Sequence, residues 1–284
     1  MKVLKFGGTS MGSVMSIRSV CKIINDTPGE LCVVVSAPSG MTDRLLRLAS
    51  EPALANPAVG EEGCLDRYIE MFDEMTARSP RATLSLLSWL GPLARALRME
   101  VTDEESRKLR EDAIVAQGER FSTRLLTMLL SDTVRVPASR LIHTRNDRRT
   151  LDHSQTLAGA AKAVKAVRNR VRVMEGFIAR DPQGRLANLG RGGSDYTAAI
   201  MAKAVGAERL EIWTDVDGYM TADPRKDTSA RLIPRMTQKE ALKMSLEGAK
   251  VVYAPAMEIL QGTSIPVHVR NTFRPDAEHT VIEG

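Results

Sequence analysis

Short apolar runs recur along the chain and alternate with segments of helical periodicity. A run of this length, bounded by polar residues, is typical of a buried strand. Because at least one helical pattern separates each run from the next, the sequence predicts an α/β fold, with a mostly parallel central sheet and helices on both faces. The runs cover residues 2–6, 31–35, 133–136, 171–178, 209–213 and 265–269.

The segments between the runs have the period of amphipathic helices. Residues 16–25 place Ile17, Val20 and Ile24 on one face, and residues 154–168 and 237–249 behave similarly. In a sheet of this kind, ligands bind beyond the carboxyl ends of the strands. The polar segments that follow the first, second and fifth runs are therefore candidates for a site.

Residues 51–115 have no strand signal and are predicted to form a helical excursion from the sheet. Stripes of this kind usually belong to the core, whereas the charge-rich run 103–112 is typical of a solvated helix face. One stripe comprises Leu65, Tyr68, Ile69, Phe72 and Met75, and the other comprises Leu86, Leu87, Leu90, Leu93, Ala94 and Leu97.

Composition is consistent with a large aliphatic core. The chain has 284 residues, of which 43% are hydrophobic and 4% aromatic, enough for one large domain or two lobes. Its net charge of +5 suits anionic ligands and falls short of a nucleic-acid footprint, so no nucleic-acid partner is expected.

Cysteine, histidine and hydropathy patterns exclude several classes of protein. Cys21, Cys32 and Cys64 form no C-x-x-C pair and are predicted to be reduced. The four histidines lack metal-ligand spacing. No apolar stretch approaches the ~20 residues of a membrane span, and the amino terminus runs directly into a strand. We therefore expect a cytoplasmic protein without a membrane partner.

The segment 5–10, KFGGTS, places a lysine beside two glycines at the end of the first run. A lysine there could neutralise a phosphoryl group, while Gly7 and Gly8 would let backbone N–H groups approach its oxygens. The alternative is an ordinary tight turn, since a Gly-Gly pair after a strand is common in turns.

A second glycine segment, 189–196 or LGRGGSDY, opens a helix that closes at Gly206. Ser194 or Asp195 is its predicted N-cap, so free N–H groups and the positive end of the helix dipole would face a ligand. The alternative is a loop that merely begins a helix, but the charged Arg191 and Asp195 favour a bound anion.

A third segment, 211–225, begins as a short apolar strand and breaks into a loop with hydroxyl, carboxylate and guanidinium groups. Such a loop could hold a nucleotide. It could equally be a surface loop whose charges are solvated.

Taken together, these stretches resemble the catalytic domain of the aspartate kinases, which belong to the amino acid kinase family. Only residues 51–115 lack such landmarks. The resemblance implies an ATP-dependent enzyme that phosphorylates the side-chain carboxylate of L-aspartate to 4-phospho-L-aspartate, the first step of lysine, threonine and methionine biosynthesis. It is carried by the segments 5–10, 33–43, 118–122, 175–178, 189–199, 211–225, 240–241 and 248–251.

The resemblance also implies roles for individual residues. Lys5 would bridge the transferring phosphoryl group and Asp195 would position that lysine. The phosphates would lie against Gly7, Gly8, Gly192, Gly193 and Ser194. Aspartate would be held by Ser36, Thr42, Glu119 and Arg191, and the nucleotide by Thr214, Asp215, Arg225 and Lys250. No protein ligand to a metal is expected, because Mg²⁺ should bind mainly through phosphate oxygens and water.

Without the resemblance, Glu119 could equally be a helix-terminal residue that the dipole stabilises. The family usually has His-Pro where this chain has Tyr253 and Ala254, a difference that bears on the adenine side of the site.

The resemblance divides residues 1–284 into an amino-acid-substrate lobe at about 1–180 and a nucleotide-binding lobe at about 181–284. It also implies a homodimer. Many family members continue into two ACT regulatory modules where this sequence stops, so either it is part of a longer protein or the natural protein is catalytic only. Without ACT modules, the activity of this polypeptide is expected not to be inhibited by lysine or threonine.

Two alternatives stay open. The first is a kinase of the same family that acts on another carboxylate or a carbamate. Glu119 and Arg191 argue against it, because they favour an α-amino acid as substrate. The second is a catalytically idle regulatory or scaffolding subunit, and the intact Lys5 and Asp195 argue against it.

Overall fold

The computed structural model describes residues 1–50, 65–222, 226–249 and 251–284. Its strands are β1 (Lys2–Phe6), β2 (Leu31–Val35), β3 (Thr133–Arg135), β4 (Val171–Glu175), β5 (Ile178–Arg180), β6 (Leu186–Asn188), β7 (Leu210–Thr214), β8 (Arg235–Thr237), β9 (Val267–Asn271) and β10 (Thr280–Glu283).

The α-helices among these residues are α1 (Val14–Asp26), α2 (Met41–Ser50), α3 (Asp66–Thr76), α4 (Pro80–Leu97), α5 (Glu104–Val115), α6 (Gln117–Leu129), α7 (His153–Lys165), α8 (Gly193–Val205), α9 (Gln238–Leu246) and α10 (Ala254–Leu260). A short 3₁₀ helix covers Ala138–Arg140. No helix within the described ranges is long and apolar enough to cross a membrane.

The described residues form an eight-stranded sheet in the order β3-β4-β2-β1-β7-β9-β10-β8. The first six of these strands run parallel, whereas β10 is antiparallel to β9 and pairs in parallel with β8. The predicted mostly parallel sheet is confirmed. The strands up to β4 form one half of it, and the strands from β7 onward form the other.

Side chains of the central strands alternate between two apolar cores, one on each face of the sheet. Val3 and Val34 pack on the face covered by α7, α8 and α10, while Leu4 and Val33 pack on the face covered by α1, α2 and α6. Both faces are therefore buried, which explains why these strands read as unbroken apolar runs.

The apolar run 171–178 is not one strand, contrary to the sequence prediction. β4 ends at Glu175, the chain turns at Gly176 and Phe177, and Ile178 begins β5, which pairs with β6 in a separate hairpin. Phe177 has a φ of 65°, in the left-handed region. A Cβ on Gly176 would lie 2.5 Å from Cβ of Ser194, so only glycine fits where the chain turns beside the first turn of α8.

The described part of the predicted helical excursion, residues 65–115, forms α3, α4 and α5 and packs on α6 through an aromatic cluster, whereas 51–64 lie outside the described residues. Rings of Tyr68, Phe72 and Trp89 all lie against Phe121, at centroid distances of 6.4, 5.6 and 5.3 Å. The indole N–H of Trp89 donates to the carbonyl of Gln117 at 2.8 Å, at the first residue of α6. The excursion thus supports the start of the helix that carries Glu119.

One predicted stripe of the excursion is only partly buried. On α4 the buried side chains are Ala82, Trp89, Leu93 and Ala96, and Leu87 is 57% exposed. The predicted stripe included Leu87 and Ala94, but these lie on the side of the helix away from Trp89. Tertiary packing selects the face that carries the largest aromatic side chain.

The charge-rich run 103–112 is not wholly solvated either. Asp112 is only 2% exposed, and its Oδ2 accepts a hydrogen bond from the guanidinium of Arg148 at 2.5 Å. Arg148 also lies 3.6 Å from Asp181, and its guanidinium donates to the carbonyl of Leu186 at 2.6 Å. This buried ion pair joins α5 to the β5–β6 hairpin.

Cys21 and Cys32 are free thiols, as the sequence predicts, and Cys64 lies outside the described residues. Burial raises the pKa of Cys21 to about 11 and that of Cys32 to about 12. Thiols in this state are poor nucleophiles, so neither residue is a candidate for catalysis.

Replacing Asp112 tests the buried pair. Asp112→Ala should lower the free energy of unfolding by about 3 kcal/mol or more, because it removes a carboxylate partner from the buried guanidinium of Arg148. Urea denaturation measures this. The neighbouring Glu111 makes a partly exposed 3.4 Å contact with Arg107, so Glu111→Ala should cost about 0.5 kcal/mol or less. Equal losses in both variants would contradict the argument.

Candidate active site

Four loops meet at one edge of the sheet, where β4, β2, β1 and β7 end side by side. Hydrogen bonds of the sheet continue past the strand ends. The amide of Gly7 donates to the carbonyl of Trp213 at 3.0 Å, and that of Ser36 donates to the carbonyl of Phe6 at 3.1 Å. The structure therefore brings together the segments that the sequence singled out separately.

Lys5 forms an ion pair with Asp195, with 2.7 Å between Nζ and Oδ1. The two side chains are 11% and 14% exposed, so the pair lies in a largely desolvated place that water still reaches. The other carboxylate oxygen accepts the backbone N–H of Tyr253 at 3.3 Å. Asp195 thus holds the lysine ammonium at the end of β1.

Helix α8 begins two or three residues earlier than the sequence predicts. Its N-cap is Gly192, with a φ of 74°, and neither Ser194 nor Asp195 caps it. The ring of Tyr253 packs closely against this position, because a Cβ on Gly192 would lie 2.3 Å from its Cγ atom. Only glycine fits the backbone conformation and the contact together.

Two glycines follow Lys5 at the end of β1. A Cβ on Gly7 would lie 3.5 Å from Nζ of Lys5, and a Cβ on Gly8 would lie 3.1 Å from the carbonyl of Ala37. Gly7 therefore leaves room beside the ammonium, and Gly8 lets the loop after β2 approach the glycine turn. Gly193 begins α8, and Ser194, in its first turn, packs against Gly176.

Glu119 lies in the first turn of α6 and is 5% exposed. Its Oε1 accepts the N–H of Ala37 at 3.2 Å, whereas its Oε2 is buried without a hydrogen-bond partner among the described residues. Burial, with a further contribution from the charge of Glu175, raises the pKa of Glu119 to about 8. Such a carboxylate suits a cationic ligand group.

Ser36 and Thr42 lie in the segment that Glu119 contacts. Ser36 follows β2, its carbonyl accepts the hydroxyl of Ser122 at 2.7 Å, and Thr42 is in the first turn of α2. Gly118 fits closely here, since a Cβ would lie 2.6 Å from that of Ala37. The β2–α2 loop and the start of α6 are therefore fixed relative to each other.

Arg191 is exposed, and its side chain makes no recorded hydrogen bond or ion pair within the described part of the chain. The loop that carries it is nevertheless anchored. The amide of Gly190 donates to Oδ1 of Asn188 at 3.0 Å, and the amide nitrogen of Asn188 donates to Asp112. The buried pair that holds the excursion thus also holds this loop.

On the β7 side, Thr214 donates to Asp215 at 3.1 Å and its carbonyl accepts the N–H of Thr272 at 2.9 Å. Asp217 accepts a hydrogen bond from Asn271 at 2.9 Å. Thr214 and Asp215 therefore lie at the same edge of the sheet as Lys5. Arg225 and Lys250, the other predicted nucleotide residues, lie outside the described residues.

Sequence reasoning gave no role to Glu175 or Asn188, and it connected Tyr253 only with the adenine side of the site. Glu175, buried at the end of β4, accepts the N–H of Ala138 at 2.8 Å and lies 3.6 Å from Arg135. A charged residue that ends an apolar strand is a signal that could have found Glu175. The roles of Asn188 and Tyr253 depend on long-range contacts that leave no local pattern.

No group of three His, Cys, Asp or Glu side chains that could hold a metal ion occurs within residues 1–50, 65–222, 226–249 and 251–284. Two of the histidines nevertheless lie together, with Nδ1 of His268 3.0 Å from Nε2 of His279. Burial and the neighbouring ring lower the pKa of His268 to about 4, so it is neutral near pH 7.

The family model described as "Amino acid kinase family" matches residues 1–271. The chain belongs to this family. Among known amino acid kinases, aspartokinase of Schizosaccharomyces pombe is 33% identical over 99% of this chain and 58% of its own length. Aspartokinase 1 of Arabidopsis thaliana, a chloroplast protein, is 30% identical over 99% of this chain and 51% of its own length.

A solved amino acid kinase has a similar structure. Escherichia coli aspartokinase III, in complex with aspartate and ADP, matches all of this chain and 64% of its own with a TM-score of 0.83 and 27% identity. This chain therefore spans between about half and two thirds of these relatives. The amino acid kinase fold is the one that the sequence predicts.

Replacing Glu119 should reveal its buried charge as a pH-dependent stability. Its folded pKa of about 8 exceeds the ordinary 4.5, so ionisation opposes folding and stability is lost as pH rises between these values. Glu119→Gln stays neutral and keeps an acceptor for Ala37. The free energy of unfolding of this variant should exceed that of the wild type by about 1 kcal/mol or more at pH 8, and by little near pH 5.

Urea denaturation across this pH range measures the effect. Glu70→Gln, at an exposed position on α3, is the control and should differ from the wild type by the same amount at every pH. A pH-independent difference for Glu119→Gln would contradict the buried ionisable state.

Proposed function

We propose that this chain is the catalytic part of an aspartate kinase, which transfers the γ-phosphoryl group of ATP to the side-chain carboxylate of L-aspartate. The observation that carries the proposal is the buried Oε2 of Glu119, which lacks a hydrogen-bond partner in the described chain. The other oxygen of Glu119 binds the loop after β2, and β2 is the neighbour of the strand that carries the Lys5–Asp195 pair. One site would thus offer an anion for an ammonium and a cation for a phosphoryl group.

The two groups lie on adjoining segments. Glu119 accepts a hydrogen bond from the amide of Ala37. Two residues further along the same loop, the amide of Ser39 donates to the carbonyl of Gly8 at 2.9 Å. The glycine turn after β1 and the loop after β2 are therefore hydrogen-bonded to each other. An amino acid held by Glu119 would lie next to a phosphoryl group held by Lys5.

The proposed reaction needs electrostatic stabilisation rather than a protein nucleophile. A side-chain oxygen of aspartate forms a bond to the γ-phosphorus, the bond from that phosphorus to the β,γ-bridging oxygen breaks, and ADP leaves with the electron pair. Both reactants are anionic, so Lys5 lowers the barrier by neutralising charge on the transferring group. Asp195 holds the ammonium in place.

The remaining groups of aspartate need partners of their own. We assign the α-ammonium to Glu119, the α-carboxylate to Arg191, and hydroxyl contacts to Ser36 and Thr42. A guanidinium binds a carboxylate through two parallel hydrogen bonds, which makes arginine suited to this role. Arg191 is exposed on an anchored loop and can turn its side chain toward a bound ligand.

The nucleotide belongs in the other half of the sheet. We assign it to Thr214, Asp215, Arg225 and Lys250, with Gly7, Gly8, Gly192, Gly193 and Ser194 against its phosphates. This corresponds to an aspartate lobe at about 1–180 and a nucleotide lobe at about 181–284. Mg²⁺ would bind mainly through phosphate oxygens and water. The homodimer and the cytoplasmic location stay predictions of the sequence.

Relatives named aspartokinase, and a similar structure described as a complex with aspartate and ADP, support this assignment. A related kinase that acts on a carbamate or on a carboxylate without an α-ammonium would leave Glu119 buried and unpaired. An idle subunit would have no need of the desolvated Lys5–Asp195 pair. Both alternatives are therefore less consistent with the site.

A substrate screen tests the proposal. The purified chain is incubated with ATP and Mg²⁺ and with L-aspartate, L-glutamate, succinate or carbamate, and acyl phosphate is trapped as a hydroxamate. We expect product with L-aspartate and none with succinate, which lacks the ammonium. Turnover of succinate or carbamate in preference to L-aspartate, or none with any acceptor, would overturn the assignment.

Lys5→Ala should reduce kcat by about 10²–10³ while the chain stays folded, as expected for loss of one preorganised electrostatic contact. Asp195→Asn should also reduce kcat, because it disturbs the same ion pair. The reduction of kcat in the double variant should therefore be smaller than the product of the two single reductions. The hydroxamate assay measures both.

The control for Lys5→Ala is Lys2→Ala at the opposite end of β1, where the ammonium donates to the carbonyl of Pro28 at 2.9 Å. Turnover of this variant should stay near that of the wild type. Near-normal turnover of Lys5→Ala would remove Lys5 from the mechanism.

Substitutions on the two sides of the site should affect different substrates. Glu119→Ala and Arg191→Ala should raise KM for aspartate far more than KM for ATP, because each removes a charge partner of the amino acid. Arg225→Ala and Lys250→Ala should do the reverse. Steady-state kinetics with each substrate varied in turn would show this, and parallel changes in both KM values would contradict the two subsites.

A further inference from the structure

A groove of about 630 Å³ lies between α4, α6 and β3, on the outer side of the substrate half of the sheet. None of its described lining residues is one of the residues that we assign to aspartate or ATP. Its size is within the range of small-molecule sites. Arginine side chains and the apolar side chains of Leu84, Met128 and Val134 line it.

Four arginines, one each from α4, α6, β3 and the 3₁₀ helix, converge on this groove, and no acidic side chain is among its described lining residues. Arg135 has one carboxylate nearby, with its Nε 3.6 Å from Glu175. Among the described residues, the guanidinium of Arg124 donates to neutral acceptors, the carbonyl of Arg120 at 3.2 Å and atoms of Ser88 at 3.5 Å. Arg81 and Arg140 make no side-chain ion pair within the described residues.

This concentration of like charge is unfavourable in the absence of a counter-charge. Burial, together with the charges of Arg135 and Arg120, lowers the pKa of Arg124 to about 10. Elsewhere in the chain, the buried Arg148 has two carboxylates within 4 Å, at 2.5 and 3.6 Å. In the groove, by contrast, the four guanidinium groups have one carboxylate within 4 Å among the described residues, that of Glu175 at 3.6 Å from Arg135.

We propose that the groove binds a compact multivalent anion, either a phosphate ester or a di- or tricarboxylate. Two or more negative charges within a few ångströms match the spacing of guanidinium forks, each of which can bind an oxyanion through two hydrogen bonds. The walls formed by Leu84, which is 69% exposed, and by Met128 and Val134 accommodate a short apolar portion of the ligand.

A compact ligand fits the groove better than a nucleic acid does. The chain has a net charge of +5, spread over 40 basic and 35 acidic residues, and the arginines line a concave site rather than a long stripe. Extended polyanions need a basic stripe that follows their backbone. The proposal does not depend on the kinase assignment, because binding is measured without turnover.

Isothermal titration of the purified chain with inorganic pyrophosphate and, separately, with citrate tests the proposal, without Mg²⁺ and at about 0.15 M salt. The double variant Arg81→Gln/Arg140→Gln removes two groove charges at exposed positions. The Kd of this variant for at least one probe should be about tenfold higher than that of the wild type, or more. The probe that shows the loss distinguishes phosphate from carboxylate ligands.

The matched control is Arg95→Gln/Arg98→Gln, which removes the same charge at exposed positions near the far end of α4. It should bind as the wild type does, within about twofold. Lys5→Ala should also retain the groove-dependent binding, which separates the groove from the proposed active site.

Several outcomes would overturn the proposal. These are absence of binding of both probes to the wild type, equal binding by the groove variant, equal loss in the control, or loss in Lys5→Ala alone. Groove-dependent binding of duplex DNA that is tighter than that of either probe would also overturn it, in favour of a nucleic-acid surface.

Discussion

Strand β1 lies between two parallel neighbours, and this pairing determines where the functional groups can be. Lys5 is opposite Val34 on β2 and Ile212 on β7. Parallel strands end at the same edge, so the loops after β1, β2 and β7 must meet there. The hydrogen bonds that extend beyond the strand ends hold these loops close to the lysine, which would otherwise stand alone at the end of a strand.

The site is built from charges that the fold removes from water. Lys5 and Asp195 neutralise one another, but Glu119 has only one of its two oxygens satisfied within the described chain. Burying a carboxylate in this way costs stability unless a cationic group joins it. The helical excursion supports this arrangement, because Trp89 hydrogen-bonds the first residue of α6 and the aromatic cluster packs along it.

The same excursion serves two further purposes. Asp112 on α5 binds both Arg148 and Asn188, and Asn188 holds the loop that carries Arg191. On its outer side, α4 contributes Arg81 and Leu84 to the arginine groove. A segment without family landmarks thus contacts the start of α6, the glycine loop and a second concave surface, and links them through buried contacts.

The sequence alone determined the layer structure and most candidate groups, because these depend on local patterns. Apolar runs with helical segments between them specify a parallel sheet, and a lysine with glycines at a strand end specifies a place for an anion. The strand break at Gly176 and the α8 N-cap at Gly192 could not be predicted from such patterns, since both positions pack closely against residues distant in sequence, Ser194 and Tyr253. The same holds for burial of Asp112 and exposure of Leu87: a helical period shows which residues share a face, but only packing against α6 and the β5–β6 hairpin decides which face is buried. Tertiary structure also produced the raised pKa of Glu119 and the arginine groove, because desolvation and convergence of charges from distant segments leave no signal along the chain.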